Sequence, residues 1–158
     1  MLSEDRVPTG IEEFDSLMEG GFPRGSLVLL AGDAGSGKTI FASQYLYHGA
    51  ELGEPGVYLS FAESRETFLK NMKRIGMDLQ KLEQDGRFKF LDLITASEKG
   101  VETVLTNTVV EVNVMTAKRL VLGSFSALAQ AFKEPIDARI VLHPILSRAL
   151  VPRGENTP

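Results

Sequence analysis

The feature that most constrains the fold is a short apolar run that leads directly into a glycine-rich loop. The run Leu27-Val28-Leu29-Leu30-Ala31 is followed at once by Gly32-Asp33-Ala34-Gly35-Ser36-Gly37-Lys38-Thr39. A continuous apolar run of this length is typical of a strand that is buried on both faces of a parallel sheet. No glycine or proline follows until Gly49, so a helix is predicted to begin in the last residues of the loop.

The rest of the chain alternates between predicted strands and predicted helices. Strands are predicted at residues 57–61, 88–93 and 120–122, and helices at residues 11–18, 68–75, 79–82, 101–112, 126–132 and 138–150. The segment 101–112 leaves a strand open as an alternative, because Val110, Val112 and Val114 also alternate. This alternation favours βαβ units, and therefore an α/β fold with a mainly parallel sheet that is covered by helices on both faces.

Composition limits the class of protein. With 158 residues, 43% hydrophobic and 24% charged, the chain is expected to form one globular domain. It has neither an apolar run of the roughly 18–20 residues that a membrane span requires nor an apolar signal core, so we expect a cytoplasmic protein that avoids membranes. The absence of cysteine excludes disulfides, thiolate nucleophiles and cysteine-based zinc sites.

Charge gives little support to a nucleic-acid partner. The net charge of −4 provides no general attraction to DNA. Lys70, Lys73 and Arg74 form a small basic cluster on one predicted helix, which leaves a DNA contact open. A solvated helix face is the favoured interpretation of this cluster, because acidic residues lie close by.

The glycine-rich loop has the pattern Gly-x-x-x-x-Gly-Lys-Thr, which is typical of a phosphate-binding loop. Its glycines allow several backbone N–H groups to point inward at phosphate oxygens, and the helix that follows adds the positive end of its dipole. Lys38 is expected to neutralise charge on the β and γ phosphates, and the Thr39 hydroxyl to bind magnesium. We therefore expect ATP and Mg²⁺ to bind here. The predicted binding residues are Gly32, Asp33, Ala34, Gly35, Ser36, Gly37, Lys38, Thr39 and Ile40.

Several motifs together resemble the RecA-like ATPases, and within them the branch of KaiC and the archaeal RadA-related proteins. These motifs are Thr9-Gly10-Ile11 with Phe14-Asp15, Gly20-Gly21-Phe22-Pro23-Arg24-Gly25, the phosphate loop, Pro55-Gly56-Val57-Tyr58-Leu59-Ser60-Phe61, residues 71–76 and Asp78-Leu79. The resemblance covers about residues 6–132. It implies a RecA-type sheet, a ring or filament of subunits, and ATP bound between neighbouring subunits.

The chain departs from this family at two chemically important positions. The strand at 119–122 normally ends in an aspartate that supports the magnesium shell, whereas this chain has Gly123. Members similar to KaiC carry two glutamates after the second strand, and this chain has Ala62-Glu63. Glu63 is therefore the candidate catalytic base, together with Lys38 as a catalytic cation. An equally weighted alternative makes Glu63 a solvated carboxylate at a helix entry near Ser64.

Length is the third departure. A RecA-like core should extend well past 200 residues by family expectation, so residues 1–150 are expected to form only part of an ATP-binding domain. The strand that should lie between the phosphate-loop strand and the 119–122 strand is missing, which would leave a gap in the sheet. Residues 151–158 do not resemble the family, and Leu150-Val151-Pro152-Arg153-Gly154 resembles a thrombin cleavage sequence.

Three functions follow from the resemblance and its departures. The first is an ATP-binding protein of the KaiC/RecA-like ATPases with weakened magnesium-dependent hydrolysis. The second is a nucleotide-gated module that assembles with copies of itself or with a full-length relative. The third is a RadA-like ATPase that associates with DNA, which ranks last because no added DNA-binding domain is visible.

Overall fold

The computed structural model describes residues 5–94, 101–124 and 126–127. The strands are β1 (Arg6–Val7), β2 (Phe22–Pro23), β3 (Gly56–Ser60), β4 (Phe88–Asp92) and β5 (Arg119–Gly123). The helices are α1 (Glu12–Leu17), α2 (Lys38–Glu51), α3 (Arg65–Arg74), α4 (Leu79–Gln84) and α5 (Val101–Met115). The predicted helix at 138–150, most of the one at 126–132, and the tail at 151–158 lie outside the described residues.

The main sheet has three parallel strands in the order β4-β3-β5. Its register places Ser60 of β3 opposite both Asp92 of β4 and Gly123 of β5. The carboxyl ends of all three strands therefore meet at one edge, where α/β folds place their ligands. The predicted parallel α/β architecture is confirmed for this part of the chain.

Helices cover both faces of the sheet and enclose two apolar clusters. Helices α2, α3 and α4 pack on one face, where the buried side chains are Leu46, Ala50, Tyr58, Phe68, Leu69, Met72, Met77, Leu79, Leu82, Phe88 and Phe90. Helix α5 packs on the other face, where the buried side chains are Val57, Leu59, Phe61, Leu93 and Val112. The segment around Val112 is therefore a helix and not a strand. The helix buries Val112 against the sheet. Among the described helices, none is both long enough and apolar enough to span a bilayer.

The predicted buried strand at residues 27–31 is wrong in the described structure. These residues form no strand, and Leu27 and Leu29 are 66% and 82% exposed. The physical reason is the strand order: β5 lies at the end of the sheet, and no described residue pairs with its second edge. Without a neighbouring strand among the described residues, the apolar run has no sheet to join.

A small antiparallel ribbon of β1 and β2, which the sequence did not predict, joins the N-terminal segment to the rest of the fold. Nearby, the Asp15 carboxylate accepts hydrogen bonds from Thr9 N at 2.8 Å, Thr9 Oγ1 at 2.7 Å and Gly10 N at 2.9 Å. Burial raises the pKa of Asp15, but these hydrogen bonds outweigh it and hold the pKa below its usual value. The Asp15 carboxylate therefore stabilises the conformation of the loop before α1.

Arg119 at the start of β5 is the largest fully buried side chain of the described residues. Its guanidinium lies 2.7 Å from Glu54 Oε2 and donates to Pro8 O at 2.7 Å and Tyr45 O at 2.8 Å. It also lies over the Tyr45 ring, 4.6 Å from the centroid. One side chain thus ties β5 to α2, to the loop before β3 and to the N-terminal segment.

Candidate functional site

The glycine-rich loop leads directly into α2, whose first residue is Lys38. Gly35 and Gly37 have φ angles of 78° and 90°, in the left-handed region that favours glycine. A Cβ at Gly32 would lie 2.7 Å from Ser36 Oγ, so a larger residue there would force the Ser36 hydroxyl to turn away. The predicted helix start inside the loop is confirmed.

The loop presents a set of unsatisfied donors. Within the described residues, the N–H groups of Gly35, Gly37, Lys38 and Thr39 donate to no protein acceptor. They lie at the N-terminus of a 14-residue helix, where the helix dipole favours negative charge. Such an arrangement suits an anion that has several oxygens.

The Lys38 side chain folds back across the loop. Its Nζ donates to Gly32 O at 2.6 Å, Asp33 O at 2.7 Å and Ser36 Oγ at 3.3 Å. The ammonium is therefore held beside the free N–H groups and adds a full positive charge to the loop. Asp33 and Ile40 are exposed. Asp33 meets Lys38 through its backbone carbonyl, so its carboxylate is a surface group of the loop.

Thr39, the last residue of the loop motif, also lies near β3. Its hydroxyl lies near the phenol of Tyr58, which is buried on the α2 face of the sheet. Burial raises the pKa of Tyr58, the nearby Thr39 hydroxyl opposes this rise, and the negative charge of Glu63 adds to it. The net raised pKa keeps the phenol protonated at neutral pH.

Glu63 lies in the bend that connects β3 to α3. Ser60 Oγ accepts from Glu63 N at 3.0 Å and donates to Glu63 O at 2.9 Å, which fixes the bend. The Glu63 carboxylate accepts from Asn71 Nδ2 at 3.1 Å, and Ser64 caps α3. Glu63 thus has a structural partner on α3, while its charge acts on Tyr58. Its service as a catalytic base stays a prediction.

The predicted site residues fall into two groups. The loop residues 32–39 are brought together by their own turn, and Thr39 extends this group to Tyr58 of β3. Glu63 approaches the same region through Tyr58, and no hydrogen bond joins it to the loop within the described residues. The donors of the loop, which are amides, an ammonium and hydroxyls, fit the oxygens of a triphosphate, and the Thr39 oxygen is a ligand type that magnesium accepts.

Tyr58 is a residue that the sequence analysis did not single out for the site. The one available signal was alternation in β3, which puts Tyr58 and Ser60 on the same face. Its position over Gly123 depends on the pairing of β3 with β5, and that pairing joins residues more than 60 positions apart. Local sequence patterns do not reveal such a register.

Comparison with known proteins places the architecture in the RecA-like class of α/β domains. A crystal structure of a KaiC-like protein from the archaeon Pyrococcus horikoshii matches with a TM-score of 0.82 and 37% identity, over 92% of this chain and 66% of that one. The family model described as "ATPase: KaiC" matches residues 7–150. The chain belongs to the KaiC ATPase family.

Two curated relatives illustrate how much of the family's length this chain spans. It is 34% identical to the circadian clock protein KaiC3 of Synechocystis, over 90% of this chain and 30% of the relative. It is also 34% identical to a UPF0273 protein of Pyrococcus furiosus, over 87% of this chain and 60% of the relative. The chain thus spans about a third to three fifths of the length of these relatives.

Proposed function

We propose that this chain binds ATP with magnesium through residues 32–40 and hydrolyses it slowly. The observation that carries the proposal is the set of free N–H groups in the loop and at the start of α2, with the Lys38 ammonium folded back across the loop. In the nucleotide complex, Lys38 exchanges its two carbonyl partners for phosphate oxygens, which are stronger acceptors because they are charged. KaiC-family membership supports the choice of ATP.

Slow turnover follows from what the site offers around the phosphates. Thr39 would bind the magnesium, which neutralises charge on the phosphates when it is bound. Gly123 contributes no carboxylate at the end of β5, and Ala62 contributes none after β3. Glu63 is left as the group to orient the attacking water, and it is already hydrogen-bonded to Asn71. Rapid magnesium-dependent hydrolysis by the purified chain would contradict this part of the proposal.

The loop should bind ATP more weakly when the Lys38 ammonium is removed. Lys38→Ala is expected to weaken ATP binding by at least about 10-fold, because a charge-assisted contact to phosphate disappears. Calorimetric titration of ATP measures the affinity. Lys70→Ala, which removes an exposed lysine of α3, is the matched control and should leave the affinity unchanged. Absence of heat with the wild-type chain, or equal affinities for wild type and Lys38→Ala, would refute ATP binding at this loop.

A second candidate function, nucleotide-gated assembly, is favoured by the exposed apolar run before the loop. Leu27 and Leu29 are exposed and lie 11 and 9 residues before Lys38, so nucleotide bound at the loop would also act on this run. The partner in this proposal is a second copy of the chain or a full-length relative. Apolar side chains at such a position are suited to an interface.

Assembly predicts that ATP increases the size of the particle. Light scattering after size-exclusion chromatography should show a larger mass with ATP than without it at the same protein concentration. Leu29→Lys should abolish this increase while nucleotide binding persists, because it places a charge in the interface without touching the loop. An unchanged mass with ATP, or an increase that survives Leu29→Lys, would argue against assembly through this run.

A further inference from the structure

Asn71 of α3 holds the side chain of Glu63, the carboxylate that follows β3. Its Nδ2 donates to Glu63 Oε1 at 3.1 Å, across eight positions of the chain. The described residues donate no hydrogen bond to the other oxygen of this carboxylate, Oε2. Glu63 is only half-buried. One oxygen is therefore fixed on α3, and the other is left for a water molecule.

The backbone of Glu63 is fixed independently of its side chain. Ser60, buried at the end of β3, accepts from Glu63 N at 3.0 Å and donates to Glu63 O at 2.9 Å. Directly after Glu63, the Ser64 hydroxyl caps α3. These contacts leave the χ angles of Glu63 undetermined, and a glutamate side chain has many rotamers. The hydrogen bond from Asn71 is the contact that selects among them.

Glu63 lies at the same edge of the sheet as the glycine-rich loop. The last turns of α2 mark the opposite edge, because Gly49 packs against the Arg119 side chain at the start of β5. Similarly, a Cβ on Gly56, at the start of β3, would lie 2.7 Å from Leu46 Cδ2. The first residue of α2 is about 16 Å from Gly49 along the helix axis, close to the length of a five-residue strand. The loop thus lies toward the carboxyl ends of the strands, where the bend after β3 also lies.

We propose that Asn71 is the positioning residue for Glu63 in ATP hydrolysis. This inference rests on the proposed function, because it assumes that ATP binds at the loop and that Glu63 orients the attacking water. In that step the water oxygen bonds to the γ phosphorus, the bond from phosphorus to the bridging oxygen of ADP breaks, and a water proton passes to the carboxylate. With Oε1 held by Asn71, Oε2 meets the water in a defined orientation.

The effect of Asn71 belongs to turnover and not to nucleotide affinity. A group that orients the attacking water acts on the transition state, so its loss lowers the rate of the chemical step. The affinity for ATP comes instead from the amides of the loop and from the Lys38 ammonium, which make no hydrogen bond to Asn71.

The test compares turnover with affinity. Asn71→Leu removes the amide donor and keeps a side chain of similar size. It should lower the single-turnover rate of magnesium-ATP hydrolysis about 3- to 10-fold, as expected for one lost hydrogen bond, and leave the calorimetric Kd of a non-hydrolysable analogue unchanged. Asn71→Gln keeps an amide donor and should recover at least half of the lost rate. Asn113→Leu, which replaces another exposed asparagine near the end of α5, is the matched control and should change neither quantity.

A purely structural role of Asn71 would give a different pattern. Loosening of the bend would lower the rate and the affinity together, and the amide of Asn71→Gln would bring no recovery. The inference is overturned by either of these results, by a wild-type rate in Asn71→Leu, or by a wild-type chain that binds ATP without hydrolysing it. Failure of the proposed function is separate, since it appears as absent ATP binding or as equal affinities of wild type and Lys38→Ala.

Discussion

Replacing Arg119 with methionine is expected to lower the free energy of unfolding by about 3–5 kcal/mol. Arg119 is only 1% exposed, and its removal leaves Glu54 without its closest cation and the carbonyls of Pro8 and Tyr45 without this donor. The partly buried Glu54 carboxylate would keep only the more distant Arg24, and two carbonyls would lose their donor, so the packing of a methionine side chain does not offset the loss. Urea denaturation followed by circular dichroism measures the loss.

The chain offers a matched control for this prediction, because Glu54 has a second arginine partner. Arg24 lies 3.6 Å from Glu54 Oε1, and its side chain is about half exposed. Arg24→Met should therefore cost no more than about 1 kcal/mol, as is usual for exposed ion pairs. Similar losses of unfolding free energy for the two variants would show that the burial of Arg119 does not determine its contribution to stability.

Introducing aspartate at position 123 is expected to destabilise the chain by about 1–3 kcal/mol and not to raise ATP turnover. From the sequence alone, Gly123→Asp would restore a carboxylate that supports magnesium. In the structure, the new Cβ would collide with Tyr58, whose ring is fixed between Phe68 and Phe90. The carboxylate therefore gains no access to Thr39 while Tyr58 remains. Denaturation midpoints and steady-state phosphate release measure the two effects.

A double-mutant cycle with Tyr58→Val separates the collision from other causes. Valine suits a strand and clears the space over residue 123. In that background Gly123→Asp should lose most of its cost, which corresponds to a coupling energy of at least about 1 kcal/mol. Additive effects of the two substitutions, or a rise in turnover with Gly123→Asp alone, would contradict the arrangement of Tyr58 over Gly123.

Patterns that are local in sequence predicted much of the structure. The strand at β3 with the helix α3 after it, and the start of α2 inside the loop, all follow from apolar periodicity and from glycine placement within short windows. The prediction for α5 was ambiguous, because β-branched residues such as Val110 and Val112 fit both the helical spacing and the alternation of a strand. Packing of Val112 against the sheet decided the outcome, and this is a tertiary effect.

Features that depend on strand pairing could not be predicted in the same way. The run at residues 27–31 has the composition of a central strand, yet a strand needs neighbours on both sides, and composition does not reveal whether they exist. The placement of Tyr58 over Gly123 and the burial of Arg119 also arise from register. A lone arginine near a strand start has no sequence signature of complete burial.

The positions of the tyrosines allow intrinsic fluorescence to be used as a probe of this protein. The chain has three tyrosines and no tryptophan, so phenol groups dominate its intrinsic emission. Tyr45 lies beneath the Arg119 guanidinium, and Tyr58 lies near Thr39 at the start of α2. Phenol emission responds to hydrogen bonding of the hydroxyl and to nearby charge. The ultraviolet signal of these phenols is therefore sensitive both to the contacts of the buried arginine and to the phosphate loop, without any added label.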